Sequence, residues 1–394
     1  MIDPDRGEHF FFPTYRRLPL DVERGEGVRL FTRDGRVYLD MFAGLAVNAL
    51  GYGHPALLSA IEKQIHQYLH LSNSFLQDVQ VELAERLLAA ARYDRVFLCN
   101  SGTEAMEAAL KLARRWGKGC RKSSIFGLTG SFHGRTLGAL SVTGREKYRQ
   151  GFDPFLPETH ILGFNNVEEL RRVVNDRTLA VVLEFIQGEG GIHPVSREYL
   201  AALTNLRNRY GFLIIADETQ SGIGRTGRFF GFEHFDFRPD IVVAAKAMGG
   251  GLPLGAMMAG ERFAEILTRG THGSTFGGNP VACAAGVATL RAITEQGVME
   301  HAASAGAYLK SKLESVAREL PRHIREVRGF GLMLGVELQY EGSDVVARML
   351  DGGVLINLTN SNVVRWLPPL VVKNNDIDEA VCVFRSVLSG QNLP

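Results

Sequence analysis

Along the middle of the chain, short apolar runs that end in polar or turn residues alternate with stretches whose apolar positions recur every three to four residues. The runs Arg95 to Asn100, Ser124 to Gly130, Leu179 to Ile186, Phe212 to Glu218 and Ile241 to Lys246 predict strands buried on both faces. Between them, Ala105 to Trp116 and Arg197 to Tyr210 predict helices. This alternation predicts an α/β fold with a mainly parallel central sheet flanked by helices, whose ligands gather at the C-terminal ends of the strands. Upstream, Pro55 to Leu69 puts Leu57, Ile61, Ile65 and Leu69 on one helical face. After Pro280 the texture changes to longer helical stretches with isolated strands at Gly331 to Leu338 and Val363 to Leu367. The expected division is a segment 1–50 that packs with the small domain, a large ligand-binding domain 51–285, and a smaller α+β domain 286–394.

Composition narrows the function classes. The 394 residues carry 44 Lys+Arg against 43 Asp+Glu, a formal charge of +1, so the broad basic footprint of a nucleic-acid or anionic-membrane binder is missing. Hydrophobic residues at 45% and charged residues at 22% give a sizeable core and exclude disorder. The 44 glycines exceed the usual ~7% without a Gly-X-Y period, which points to tight loops where backbone approaches something closely. Cys99, Cys120, Cys283 and Cys382 show no C-x-x-C spacing, so neither a zinc site nor a disulfide framework is expected, and a reducing cytoplasmic setting is the default. The opening MIDPDRGEHF has acids and no apolar core, unlike a secretory or transit signal. The apolar stretch Ile241 to Gly260 is broken by Lys246, three glycines and Pro253, and does not read as a membrane span.

Three local patterns carry candidate chemistry. Asn100-Ser101-Gly102-Thr103-Glu104 lies between a strand and a helix, where free N–H groups favour an anion; the spacing of Ser101 and Glu104 is equally that of a capping box. FLIIADETQ, Phe212 to Gln220, is an apolar strand ending in acids that suits a metal, a ribose or a heterocyclic nitrogen, or merely caps the next turn. It resembles a Walker B run, but no G-x-x-x-x-G-K-[ST] exists to hold a nucleotide's phosphates. Lys246 ends a buried strand before Gly249-Gly250-Gly251; lost hydration would make its amine nucleophilic, whereas an arbitrary lysine snorkels to water. The string Gly329 to Gly335 has the wrong spacing for dinucleotide binding. An anion cup, a strand-end acid and a strand-end lysine together suit one ligand, pyridoxal 5'-phosphate, which needs a phosphate cradle, a carboxylate at its ring nitrogen and an imine-forming lysine.

At these residues the sequence resembles the class III aminotransferases of fold type I, from about Gly25 to the C-terminus, with the motifs in the family's order. Within the family it is most similar to the branch acting on acetylornithine, through Met41-FAGLAVNALGYGHPAL-Leu58, Thr271-HGSTFGGNP-Pro280 and Asn362-VVRWLPPL-Leu370. The resemblance implies that Ser101, Gly102 and Thr103 form the phosphate-binding turn, and that Phe132 stacks on the cofactor ring. It implies that Asp217 meets the ring nitrogen, with Glu218, Thr219 and Gln220 beside it, and that Lys246 carries the cofactor and moves the substrate proton. Thr275 would reach the phosphate in a neighbouring subunit, hence a homodimer with shared active sites. Thr219 stands where the family usually has valine, and Phe185 where proline normally follows the acid Glu184.

For substrates, the resemblance implies that Arg365 holds the α-carboxylate of glutamate or 2-oxoglutarate, Arg135 the distal one, and that Glu189 covers Arg365 when an ω-amino donor binds reversed. Ser274 would line the partner's substrate mouth. Isolated arginines of this kind otherwise form surface or interface ion pairs. Leu45 and Leu76 replace tyrosines that ornithine-specific relatives use, and apolar walls suit an acylated amine. The expected reaction passes the δ-amino group of N2-acetylornithine to 2-oxoglutarate, with succinyl-diaminopimelate as a second donor. A 4-aminobutyrate, ornithine or carrier-linked lysine aminotransferase, an aminomutase of the same fold, and a non-catalytic metabolite-binding protein stay open at this point.

Overall fold

A computed structural model describes residues 10–391. The stretch 1–9, in which no secretory pattern is read, lies outside the described residues.

Seven strands form the central sheet, in the spatial order Arg95–Cys99, Gly255–Ala259, Ile241–Ala244, Leu213–Asp217, Thr178–Leu183, Ser124–Leu128, Thr159–Leu162. All five expected strands are present, and all five run in one direction. Gly255–Ala259 alone is antiparallel, inserted between Ile241–Ala244 and Arg95–Cys99. The apolar stretch that does not read as a membrane span is therefore two strands joined by a turn. Gly250 and Gly251 in that turn have φ of 58° and 114°, and a Cβ on Gly250 would meet the Thr289 hydroxyl at 2.5 Å. Turn geometry accounts for two of the three glycines. Leu213–Asp217 and Ile241–Ala244 are buried along their whole length because helices cover both sheet faces.

The helix expected at Ala105 to Trp116 spans Gly102–Cys120 and buries Ala105, Met106, Ala109, Leu112 and Ala113 on the sheet. Arg197–Tyr210 is a helix as expected, capped by the Ser196 side chain at its start and by Gly211 at its end. The first helix stops at Ile65, short of Leu69. Of its apolar face only Leu57 is buried; Ile65 and Leu69 are exposed, as are Leu58, Phe75 and Leu76. The stripe is therefore split: Leu57 and Ile61 pack against Ala285 and Ala288 of this chain, while Ile65 and Leu69 do not meet its core.

Two smaller sheets complete the molecule. Ile324–Phe330, Met333–Leu338, Val363–Trp366 and Asn357–Thr359 form an antiparallel sheet. The Gly329 to Gly335 string is the tight reversal between its first two strands, which leaves it no dinucleotide role. Val22–Glu26, Arg29–Thr32 and Val37–Asp40 form an antiparallel set to which Val354–Leu355 adds in parallel, so the N-terminal segment is tied to the C-terminal region. Residue 285 falls inside the helix Pro280–Glu295. Among the described residues no helix is long and apolar enough to cross a membrane, no group of three or more His, Cys, Asp or Glu side chains could hold a metal, and the four cysteines are free.

Phe185, which has no chemical role in the sequence reading, is fully buried among Phe232, Phe235 and Phe237 at centroid distances of 5.9, 5.9 and 5.2 Å. It is a packing residue. Phe185→Ala is expected to cost about 3 to 5 kcal/mol of unfolding free energy, read as a lower urea midpoint at unchanged denaturant slope; a loss below about 1 kcal/mol would mean the aromatic cluster closes over the gap.

Candidate active site

Chemistry-bearing residues collect where the parallel strands end. Beyond Cys99 come Asn100 to Thr103; beyond Leu128, Phe132 to Arg135; beyond Leu183, Glu184 to Glu189; beyond Ala244, Lys246; and Asp217 is itself a strand's last residue. One cavity of about 420 Å³ is lined by Ser101, Gly102, Thr103, Phe132, Arg135, Glu189, Asp217, Thr219, Gln220 and Lys246, and also by Val47. Ten of the fourteen expected site residues thus meet in one place.

Lys246 leaves its strand with a left-handed backbone, φ 46°, and opens a short 3-10 turn. Its Nζ donates no hydrogen bond to any described residue. Burial, reinforced by the Arg365 cation, lowers its pKa from 10.5 to about 8, while Glu189, Asp217 and Glu184 pull the other way. Asp217 is buried, its Oδ2 2.8 Å from His133 Nδ1 and its Oδ1 accepting the Thr219 N–H at 3.0 Å. Glu184 accepts the N–H groups of Phe132 and Gly188 at 3.0 and 3.1 Å, and burial pushes its carboxyl up to about 7.

Arg365 is buried beside this cavity. Its Nη1 donates to Glu189 Oε1 at 2.7 Å and to Gln220 Oε1 at 3.1 Å, and its Nε to Asn357 Oδ1 at 3.0 Å. Burial would raise the Glu189 carboxyl, but the neighbouring cations Arg365, Lys246 and Arg145 hold it below its ordinary value. Arg135 is exposed at the opposite side, its guanidinium 4.0 Å from the Tyr148 ring centre and 5.5 Å from that of Phe132.

The anion cup and the capping box turn out to coexist. The Ser101 hydroxyl accepts the Glu104 N–H at 3.3 Å, while Glu104 Oε2 takes the Asn100 N–H at 2.6 Å instead of the Ser101 one. The N–H groups of Gly102 and Thr103 find no acceptor among the described residues, as expected at a helix start. A Cβ on Gly102 would sit 2.8 Å from the Thr219 methyl, so only glycine lets the cup lie against Thr219. The Thr219 hydroxyl and His133 Nε2 are buried without partners. Free N–H donors at a helix start, a buried carboxylate and an uncommitted amine around one cavity fit pyridoxal phosphate.

Four expected residues lie elsewhere. Glu218 corrects the reading: successive strand positions point to opposite faces, so Asp217 enters the cavity and Glu218 turns away. Its carboxylate accepts from Ser221 Oγ, Gly231 N and Phe232 N at 2.7, 2.8 and 3.0 Å, holding the following turn, with burial raising its pKa to about 7. Thr275 is exposed and outside this chain's cavity, and Ser274 is occupied with Asn100 Nδ2 and Gly277 N at 3.2 and 3.0 Å. Arg365 reaches the cavity only through Glu189 and Gln220. Leu45 and Leu76 do not line the cavity; Leu45 lies two residues before Val47 in a left-handed turn, and Leu76 is 88% exposed.

Sequence reasoning missed His133, Glu184 and Asn357 as site residues. The signal for the first was at hand, since the Phe132-His133-Gly134-Arg135 string already holds two expected residues. Nothing local singles out Asn357, which meets Arg365 only because their strands pair.

Such a cavity on a doubly covered parallel sheet defines a fold type I, pyridoxal-phosphate-dependent aminotransferase. The chain belongs to the family described as Aminotransferase class-III, whose model matches residues 11–388. It is 44% identical to the acetylornithine aminotransferase of Caldanaerobacter subterraneus subsp. tengcongensis over 96% of this chain and 97% of that protein. It is 42% identical to the acetylornithine aminotransferase of Methanocaldococcus jannaschii over 98% and 97%. Among solved structures, the ornithine aminotransferase from Toxoplasma gondii ME49 superposes with a TM-score of 0.93 at 30% identity, covering 98% of this chain and 94% of that one. The acetylornithine aminotransferase from Elizabethkingia anophelis gives 0.87 at 29%, covering 98% of each. Family membership removes the non-catalytic binding protein from consideration.

In cofactor-free protein, reductive methylation of Lys246 by formaldehyde and a borohydride reagent is expected to rise with pH around a midpoint near 8. Exposed lysines should follow near 10.5. Peptide mass spectrometry reads the two populations; a Lys246 midpoint at the exposed value would mean a hydrated amine.

Proposed function

We propose that this chain transfers the δ-amino group of N2-acetylornithine to 2-oxoglutarate, giving N-acetylglutamate 5-semialdehyde and glutamate, in a cytoplasmic, ping-pong reaction of arginine biosynthesis. The observation that carries the reading is the Glu189–Arg365 ion pair at 2.7 Å beside the uncommitted amine of Lys246. Two substrates with different carboxylate patterns must use one cavity, and a carboxylate that covers an arginine lets the site alternate between them. The same donor in the names of the relatives supports the substrate.

When bound, pyridoxal phosphate supplies a carbonyl that exchanges amino groups and a ring that takes up electrons from the substrate carbon. The Gly102 and Thr103 N–H groups, with Ser101 as their cap, would hold its phosphate, and Phe132 and Thr219 would flank its ring. Asp217, oriented by His133, would keep the ring nitrogen protonated. Gln220 would hold the ring hydroxyl. Lys246 would hold the group covalently through its amine and would serve as the base that moves the substrate proton; a pKa lowered toward 8 suits that base role near neutral pH.

Arg365 holds the α-carboxylate of 2-oxoglutarate or glutamate in a planar fork and Arg135 the distal carboxylate. For acetylornithine, whose amine is at the far end, the α-carboxylate goes to Arg135 and Glu189 stays on Arg365. The apolar side chains of Leu45, in the turn just before the cavity-lining Val47, and of Leu76, from across a subunit interface, favour an acylated over a free α-amine. Exposed Leu58, Ile65, Leu69, Phe75 and Phe276 on this chain, together with Thr275 outside its own cavity, support a homodimer in which Thr275 and Ser274 complete the neighbour's site. The division into 1–50, 51–285 and 286–394 belongs to the same reading.

Parallel kinetics on acetylornithine, succinyl-diaminopimelate, ornithine, 4-aminobutyrate and carrier-bound lysine test the assignment. The highest kcat/KM is expected for acetylornithine, with strict dependence on 2-oxoglutarate; faster turnover of free ornithine or 4-aminobutyrate would sink it, and turnover without an oxo-acid would indicate an aminomutase. Lys246→Ala should lose at least ~10⁴-fold in kcat while the phosphate cup still retains cofactor. Asp217→Asn should lose roughly 10²-fold or more, and an unchanged kcat would remove Asp217 from the mechanism.

A further inference from the structure

The loop that carries Glu189 is clamped along its main chain while the Glu189 side chain is held at one point. The Gly188 N–H donates to Glu184. The Glu189 carbonyl accepts from Thr359 Oγ1 at 2.5 Å and from Arg145 Nη1. Asn360 Nδ2 donates to the Gly190 carbonyl, and Arg328 donates to the Gly191 carbonyl twice, from Nε at 2.9 Å and Nη2 at 2.7 Å. In contrast, the Glu189 carboxylate has a single hydrogen-bond partner among the described residues, Arg365. A residue whose main chain is fixed in this way moves by rotating its side chain.

A carboxylate that leaves Arg365 inside this cavity needs another cation, since burial alone disfavours its charged form. Apart from Arg365, the cations facing it are Lys246 and Arg145. Lys246 is committed to the chemistry. Arg145 already touches the carbonyl of Glu189 itself, so a rotation within one residue brings the carboxylate to it, and Arg145 has no ion pair among the described residues. Its guanidinium lies 5.4 Å from the Tyr148 ring, which Arg135 at 4.0 Å and Lys147 at 4.9 Å also approach.

We propose that Arg145 is a positioning residue for the Glu189 gate: it pins the gate's main chain and receives its carboxylate when Arg365 is released to a dicarboxylic substrate. The inference rests on the reading of Glu189 as a gate and adds the second resting place that reading lacks.

Glutarate, a dicarboxylate that cannot react, is the probe, with its dissociation constant for the holoenzyme measured by calorimetry. Glu189→Gln should tighten glutarate binding, because nothing charged competes for Arg365. Arg145→Gln should weaken it about tenfold, the scale of a hydrogen bond to a charged group, and lower kcat/KM for 2-oxoglutarate but not for the amino donor. Arg145→Lys should recover part of the loss. In the Glu189→Gln background, Arg145→Gln should change nothing. An equal loss there would mean that Arg145 binds glutarate directly or merely supports the fold, and no loss in the otherwise native enzyme would mean that the carboxylate does not use it; either result overturns the proposal. If Glu189→Gln leaves glutarate affinity unchanged, the gate reading falls first and this inference with it.

Discussion

Burial of charge at the ends of the parallel strands is the constraint around which the rest of the site is arranged. Lys246, Asp217, Glu184, Glu189 and Arg365 share a space from which much of the water is excluded, and each ion there needs a partner or a shifted pKa. The fold answers each case differently. Asp217 has a histidine and a main-chain N–H, Glu189 has an arginine, and Glu184 has two main-chain N–H groups with its proton affinity raised. Lys246 has no hydrogen-bond partner among the described residues, and it is the one group in the set whose function needs an uncharged, unengaged nitrogen.

Backbone geometry reinforces that separation. Lys246 occupies the left-handed region at φ 46°, which costs a residue with a side chain about 1 to 2 kcal/mol. The turn after it is closed by the bonds from Met248 N to the Ala245 carbonyl and from Gly250 N to the Ala247 carbonyl, both 3.1 Å. Glycines at 250 and 251 then let the chain reverse into the antiparallel strand Gly255–Ala259. The turn just before the cavity-lining Val47 uses a related device: Ala43, Gly44, Leu45 and Ala46 are all left-handed, and Asp40, buried and bonded to Phe42 N, Ala43 N and Tyr52 Oη, fixes where that turn begins. Strain of this kind persists only where surrounding contacts over-determine it.

The parts of this architecture that depend on periodicity and strand ends were legible in the sequence. Five apolar runs became five parallel strands, of which Arg95–Cys99 is a partly exposed edge strand and not a buried one, and residues at their C-terminal ends met in one cavity. Thr159–Leu162 and Gly255–Ala259 were not legible: the first is a partly exposed strand with no apolar run, and the second, Gly-Ala-Met-Met-Ala, has no β-branched residue and lies in the same apolar stretch as Ile241–Ala244. Pairings between distant segments were equally hidden, as with Asn357 on Arg365. The stripe Leu57, Ile61, Ile65, Leu69 was read correctly as amphipathic, but periodicity does not say whether an apolar face meets the chain's own core or a second subunit.

Glu184 and Glu218 show why the position of a side chain, and not its titration alone, defines a functional group. Both are buried, both accept two main-chain N–H groups, and burial raises both to about 7. Glu184 lines the cavity near His133 and Asp217, whereas Glu218 faces Ser221 and the turn at Gly231 on the other side of its strand. A single register step separates the carboxylate at 217, which meets the ligand cavity, from the one at 218, which stabilises a loop. The strand-end motif therefore needs acids on both sides: one facing the cavity, and one tying down the turn that holds Thr219 and Gln220 in place.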